Sequence, residues 1–207
     1  MKYARVAERY DKEFAGDFAG WFSTGPMPLV ERLARFFISA GDVLEIGAGV
    51  GQNSIYLASR GFKVTAMDIS SVAIERIKAQ AKLDNLALQT EVADITEKQL
   101  EKEFDVIICT GVLHHLLRED AVSVIQKIQR GTKPHGFNIV ATFTKEGDIA
   151  DARASPYFYV DSNKDLESFY SNWTNHVSFQ KEGKLHEKNA KGENVFHVFA
   201  GLLSQKT

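Results

Sequence analysis

Apolar positions change period along the chain, and each change marks an element. Leu29, Val30, Leu33, Phe36 and Phe37 recur at helical spacing, which predicts an amphipathic helix running to about Ser39. The segment before it reads as helical but broken, stopping at Gly25, Pro26 and Pro28. Val43, Leu44 and Ile46 then form the short apolar run of a strand buried on both faces. A helix is predicted from Gln52, a second strand over residues 64–67, and a helix capped by Ser70 or Ser71 that reaches about Asp84. Residues 86–92 read as a third strand. Residues 104–110 read as a fourth, in which Val106, Ile107, Ile108 and Cys109 are apolar without a break. A helix follows over 118–130 with Val122, Ile125 and Ile128 inward, then a turn over 132–136 and a fifth strand over 137–143. Strands alternating with helices predict an α/β fold, a parallel sheet covered by helices on both faces.

The last third changes rhythm. Residues 148–156 read as a loop and 165–170 as a short helix. Residues 177–180 and 195–203 read as two strands joined by a turn at Lys191-Gly192-Glu193-Asn194, which predicts an antiparallel hairpin at the end of the sheet.

Chemistry concentrates between Asp42 and Ser70. Gly47, Gly49 and Gly51 follow the first strand, where glycine permits a sharp turn and close approach of a ligand to the main chain. The next helix begins there, with its free N–H groups facing the turn. Asp68 ends the second strand, about 20 residues past the first glycine, where a carboxylate can accept hydrogen bonds from both hydroxyls of a ribose. This pattern suits an adenosine-containing cofactor. A dinucleotide fingerprint would place its third glycine one residue further on, and position 52 is Gln. The run is instead Glu45-Ile46-Gly47-Ala48-Gly49-Val50-Gly51, with an extra acid beside the turn.

Composition narrows the partners. The 207 residues suit one domain with a sizeable core: a helical cap over 1–40 and a core over 42–207. Lys and Arg total 25 against 27 Asp and Glu, so no basic excess draws a nucleic-acid backbone. The single Cys109 cannot form an internal disulfide, and MKYARVAERYDKEF is charged throughout; a cytoplasmic setting is expected. No apolar run is long enough to span a bilayer. One Cys and scattered His residues give no zinc spacing, so no metal is expected. After the fourth strand, Thr110-Gly111-Val112-Leu113 lacks the Asn/Asp-Pro-Pro-aromatic run of base-directed enzymes. The expected partner is a small molecule, not nucleic acid or membrane.

The E-x-G-x-G-x-G run resembles motif I of the class I S-adenosylmethionine (SAM) methyltransferases, and the order of motifs from Asp42 onward is similar to theirs. The resemblance implies a Rossmann-like, seven-stranded, mostly parallel sheet closed by the C-terminal antiparallel hairpin, with SAM as cofactor and S-adenosylhomocysteine (SAH) as product. It implies a cofactor site at Glu45, Gly47, Ala48, Gly49, Gly51 and Asn53. Asp68 would hold the ribose, Ile69 would pack on the adenine, Asp94 beside Ile95 would meet the adenine amino group, and Thr110 would line the methionine arm. Glu45 would face the amino end of the methionine, directly or through water. Tyr10 resembles an N-terminal element that covers SAM; a packing role is the alternative.

Finer details are similar to the tellurite-resistance (TehB-like) methyltransferases. These are the Asn53-Ser54 pair after the glycine turn, Gly136-Phe137-Asn138 entering the fifth strand, Gly183-Lys184-Leu185-His186 in the hairpin, and segments such as DLESFYSNW and FAGLLSQK. The family has Arg before the Asn-Ser pair and Arg after the hairpin His; this chain has Gln52 and Glu187. The resemblance implies methylation of chalcogen oxyanions or similar soft nucleophiles. Small-molecule O-, N- or S-methyl transfer of other specificity stays open, as does SAM binding without catalysis. His186 is the first substrate-side candidate, able to bind an anion or take a proton. His114 and His115 follow the fourth strand at the sheet's carboxyl edge, where one can face the transfer pocket or both can cap the next helix. Arg153 can contact an anionic substrate or remain solvated.

Overall fold

The computed structural model describes residues 2–16, 25–148, 156–188, 192 and 194–207. Helix α1 (Ala4–Ala15) and helix α2 (Pro28–Phe36) precede the sheet. Strand β1 (Asp42–Ile46), α3 (Gln52–Ser59), β2 (Lys63–Asp68), α4 (Ser71–Leu83) and β3 (Gln89–Val92) build its first half. Strand β4 (Phe104–Thr110), a single 3-10 turn (Leu113–His115), α5 (Arg118–Arg130) and β5 (Thr132–Gly147) follow. Helix α6 (Asn163–Ser168) leads into β6 (Trp173–Lys188) and β7 (Asn194–Lys206).

The seven strands lie in the order β3-β2-β1-β4-β5-β7-β6. The first five pair in parallel, while β7 runs antiparallel to both β5 and β6. This is the expected mostly parallel sheet with an antiparallel hairpin. The strand order turns back between β1 and β4, so the connections after these two strands leave toward opposite faces. A crevice opens there, at the carboxyl ends.

The apolar run of β4, and that of β1 interrupted only by Glu45, have a direct cause. Leu44, Ile46, Ile107 and Cys109 face one core, which includes Val124, Ile125 and Ile128 of α5. Their neighbours Val43, Val106 and Ile108 face the other, with Leu29, Val30 and Leu33 of α2 and Leu57 of α3. Side chains alternate across a strand, so a strand covered on both faces is apolar on both, and a polar residue within it, here Glu45, must find buried hydrogen-bond partners.

The largest differences from the expected boundaries fall at the third strand, the entry of β5 and the hairpin. The third strand starts at Gln89 rather than Leu86, because the Leu86 N–H is used to close α4 on the Ala81 carbonyl at 2.8 Å. The turn read at 132–136 lies within β5: Thr132 pairs with Phe104, and the register shifts before Val106. Pro134, His135 and Gly136 carry that irregularity, with His135 at φ 62°. The hairpin strands are far longer than their apolar stretches. β6 is an edge strand of largely polar, partly exposed residues, so its periodic signal covers only its middle. Most of the loop expected at 148–156 lies outside the described residues, as do parts of the 1–25 segment and of the 191–194 turn.

A buried polar chain locks the start of β5 to the segment after α6. Tyr170 Oη donates to Asn138 Oδ1 (3.1 Å), Asn138 Nδ2 donates to Thr132 Oγ1 (2.7 Å), and Thr132 Oγ1 donates to the Ile128 carbonyl (2.6 Å). All three side chains are buried. Replacing Asn138 by Ala strands the Tyr170 hydroxyl without its acceptor, and unpaired buried groups cost about 1–3 kcal/mol each. Asn138→Ala is expected to lower unfolding stability in urea by about 2–3 kcal/mol. In the Tyr170→Phe background the same substitution should cost less, since the stranded hydroxyl is gone.

Candidate functional site

The glycine turn leaves β1 with three residues in the left-handed region: Gly47 at φ 71°, Gly49 at 55° and Gly51 at 82°. The N–H groups of Gly47 and Ala48 both donate to the Met67 carbonyl (2.8 and 3.0 Å), and that of Gly49 donates to Asp68 Oδ2 (2.8 Å). A Cβ on Gly47 would sit 2.2 Å from Val112 Cγ2, so β1 and β4 approach too closely there for any side chain. Gly51 plays a different part. It lies off the cavity wall, and a Cβ on it would meet Ile77 of α4 at 2.7 Å. Its requirement is for packing of α3 on α4 together with a left-handed backbone.

Behind the turn, Glu45 is buried with both oxygens held. Asn53 Nδ2 donates to Oε1 at 2.7 Å, and Ser54 Oγ donates to Oε2. Asn53 also accepts from the Met27 N–H (2.8 Å), joining the entry of α2 to the same carboxylate. Burial raises the Glu45 carboxyl to about 7, against the opposing pull of the Ser54 and Asn53 hydrogen bonds. Asp68 is likewise buried and raised, by burial first, although the Ser70, Gly49 and Ile69 N–H groups favour its ionised form.

Helix α1 crosses the carboxyl edge of the sheet and is fastened at both ends. Asp11 accepts from Ser70 Oγ and from the Val72 N–H (3.2 Å) at the start of α4. The Tyr3 N–H donates to Asp94 Oδ2 (3.3 Å), and the Tyr3 hydroxyl pairs with Asp120 and accepts from the Leu117 N–H (2.9 Å). Between these anchors, Tyr10 Oη lies 2.7 Å from His115 Nε2.

The half-open cavity is about 1020 Å³ with mainly apolar walls. Glu45, Gly47, Ala48, Gly49 and Asn53 form one end. Asp68, Ile69, Asp94 and Ile95 form the wall at the tips of β2 and β3, and Thr110, Tyr10 and His115 stand opposite. His186 falls on β6, and its side chain is outside the described residues, as is Arg153.

The far end holds residues that the sequence reading did not single out. His197 and Phe199 project from one face of β7, and Phe199 pairs across to Phe143 of β5, the rings stacked at 4.4 Å. His197 stands edge-on to both rings, at 5.1 and 4.5 Å. Period-2 spacing puts His197 and Phe199 on one face, but only the register with β5 brings Phe143 to them. Gly183, in the Gly-x-Leu-His stretch, leaves room for His197: a Cβ there would lie 2.8 Å from His197 Nε2. His114 is buried against Phe143 at 4.3 Å and against His115 at 3.9 Å, and its Nδ1 has no hydrogen-bond partner among the described residues. Burial lowers all three imidazoles, His115 to about 4 with the Arg9 charge adding to the effect. At neutral pH the cluster is uncharged.

The family model described as tellurite resistance protein TehB matches residues 30–203. The chain belongs to the TehB family. It is 28% identical over 173 residues to a probable S-adenosyl-L-methionine-dependent methyltransferase TehB of Haemophilus influenzae (strain 10810), a match covering 84% of this chain. It spans only 60% of that relative's length. The crystal structure of TehB from Haemophilus influenzae superposes with a TM-score of 0.78 at 24% identity, covering 97% of this chain and 67% of that one. The N-methyltransferase NodS from Bradyrhizobium japonicum WM9, solved with S-adenosyl-L-homocysteine, superposes with a TM-score of 0.70 at 18% identity, covering 97% of this chain and 98% of that one. The TehB-family chain thus has the Rossmann-like fold of these methyltransferases. Among the described residues no helix is long and apolar enough to cross a membrane, and no cluster of three metal-ligating side chains occurs.

The raised Glu45 carboxyl has a thermodynamic consequence. Its folded value of about 7 lies above its ordinary 4.5, so between these values the folded state holds more of the proton than the unfolded one. Stability from this group is therefore present at low pH and lost as pH rises toward 7. Glu45→Gln should remove that decline. Urea unfolding at pH 5 and pH 7 is expected to show a smaller drop in the variant than in the parent.

Proposed function

We propose that this TehB-family chain is a SAM-dependent methyltransferase acting on a small soft nucleophile of the thiol, selenide or telluride type. The observation that carries the reading is the pairing, in one cavity at the β1/β4 switch point, of a glycine turn with two buried acids that retain acceptor capacity. Asp68 Oδ2 accepts the Gly49 N–H and Oδ1 the Ser70 N–H, with the Ile69 N–H also directed at the carboxylate, and acceptor capacity remains for ribose hydroxyls. Asp94 Oδ1 is filled by the Thr96 N–H and hydroxyl, while Oδ2, among the described residues, accepts the Tyr3 N–H alone and keeps a site for an adenine amino group. The cavity also lies at the upper limit of about 300–1,000 Å³ typical for one small ligand, which suits a cofactor with an acceptor beside it.

When bound, SAM would supply an electrophilic methyl group on a sulfonium. The chain's own part is to position and to exclude water. Asp68, Asp94 and the glycine turn would hold the adenosine end. The uncharged histidines set no positive charge against a sulfonium, and the faces of Phe143 and Phe199 attract a cation. In this reading Thr110 and Glu45 flank the methionine arm, and His186 on β6 approaches the acceptor side.

Calorimetry with SAM, SAH and NAD tests the cofactor. SAM and SAH are expected to bind and NAD is not; NAD binding without SAM would overturn the assignment. Asp68→Ala removes the proposed ribose acceptor, at about 1.5–3 kcal/mol for each hydrogen bond, together with the partner of the Gly49 and Ser70 N–H groups; it should weaken SAM by about 10²–10⁴-fold and lower the unfolding temperature, with unfolding still cooperative. Tellurite, selenite and thiols, each incubated with SAM and purified protein, test the acceptor class. No SAH above background from any of them would reject soft-nucleophile transfer.

A further inference from the structure

Tyr10 and His115 reach each other from α1 and from the turn after β4, 105 residues apart in sequence, inside the proposed transfer cavity. Transfer to an acceptor that is already ionised gives such a pair nothing to do. A phenol hydrogen-bonded to a neutral imidazole is the arrangement that can receive a proton and pass it on. His115 is uncharged at neutral pH, held there by burial and by Arg9, so its Nε2 lone pair is open to the Tyr10 hydroxyl. His114 stands at its side, buried, with Nδ1 unpartnered among the described residues.

The surroundings describe the rest of the acceptor. Phe143 and Phe199 are stacked at 4.4 Å, and His197 stands edge-on to them, making a flat apolar wall. Phe179 is held beside it because Gly201, its cross-strand partner, has no side chain; a Cβ there would meet the ring at 2.6 Å. The described lining includes one fixed cation, Lys181, and its side chain is exposed at the rim. Gln52, also on the wall, is neutral. An oxyanion would surrender its hydration here for no buried counter-charge among the described residues.

We infer that the acceptor enters protonated, as a thiol or hydroxyl on an uncharged, flat, apolar body, and that Tyr10 and His115 remove its proton as it is methylated. The acceptor's lone pair forms the new bond to the methyl carbon, whose bond to sulfur breaks with both electrons going to sulfur. The acceptor's proton moves to Tyr10 Oη as the Tyr10 proton moves to His115 Nε2, and the imidazolium later loses it to water. One positive charge is present before and after the step, so the cavity never has to hold a second charge. Tyr10 is then a catalytic residue and not a cover for the cofactor.

This inference rests on the methyl-transfer reading, and the experiment separates the two. The full chain, its Tyr10→Phe variant and its His115→Gln variant are assayed for SAH release with two acceptors: an arylalkyl thiol, protonated at neutral pH, and an arene thiol, ionised there. Both variants are expected to lose about 10²–10⁴-fold in kcat on the protonated thiol. On the ionised thiol their loss should be at least tenfold smaller, with SAH still bound by calorimetry. Equal losses on the two thiols would reduce the pair to positioning residues and overturn the inference. Unchanged turnover on the protonated thiol would do the same. If the parent turns over tellurite or selenite but neither thiol, the protic acceptor is wrong while methyl transfer stands. If SAH does not bind to the parent, both readings fall.

Discussion

One buried carboxylate organises the carboxyl edge of this sheet. Asp68 Oδ2 accepts from the Gly49 N–H and Oδ1 from the Ser70 N–H, so a single side chain fixes the glycine turn after β1 and the entry of α4 after β2. Ser70 in turn caps α4 through the Ala73 N–H (3.1 Å) and donates its hydroxyl to Asp11, which draws α1 across the opening. Closure of the cavity by the N-terminal helix is therefore linked, through two hydrogen bonds, to the residue proposed to hold the ribose. Hydrogen bonds to a charged carboxylate are stronger than neutral ones, and here they act where water is excluded. The same exclusion raises the carboxyl's proton affinity, so the clamp is strong only while its N–H donors remain in place.

Burial acts on every titratable group of the cavity in one direction, toward neutrality. It raises Glu45 and Asp68 and lowers His114, His115 and His197. The outcome differs for the two ends. The acids keep hydrogen-bond donors that favour charge, and a cationic ligand would favour it further. The histidines have neighbours that disfavour it: His115 and Arg9 beside His114, and Arg9 beside His115. One end of the cavity can thus become anionic, and the other is uncharged until a proton is delivered to it. That polarity fits a ligand whose positive charge lies between an adenosine end and an apolar acceptor.

The parallel half of the sheet and its site were legible because each signal there is local. Gly47, Gly49, Glu45 and Asp68 sit within one βαβ unit, and the spacing alone brings them together. Ile69, Asp94 and Thr110 follow by position at strand ends. Gly51 was legible as a glycine that must be glycine, but its reason is Ile77, a contact between two helices that spacing does not reveal. His197, Phe199 and Phe143 were not singled out, because they meet only through the β5–β7 register, about 50 residues of chain apart. The long polar edge strand β6 was read as four residues for a related reason: pairing with β7, and not its own periodicity, makes it a strand.

His197 shows how the acceptor end is built against local preference. A histidine at a buried position within the apolar run 195–203 of β7 breaks the pattern that formed the strand, and such breaks belong at sites. Its ring requires an absent side chain opposite, and Gly183 of β6 supplies that absence at the start of the Gly-x-Leu-His stretch. A glycine in a strand interior is a cost to the strand. Here the cost falls on an edge strand, where pairing with β7 on one side is enough to hold it. The hairpin therefore does two things at once. It closes the sheet, and through one missing Cβ it sets an imidazole beside the aromatic wall that the acceptor would meet.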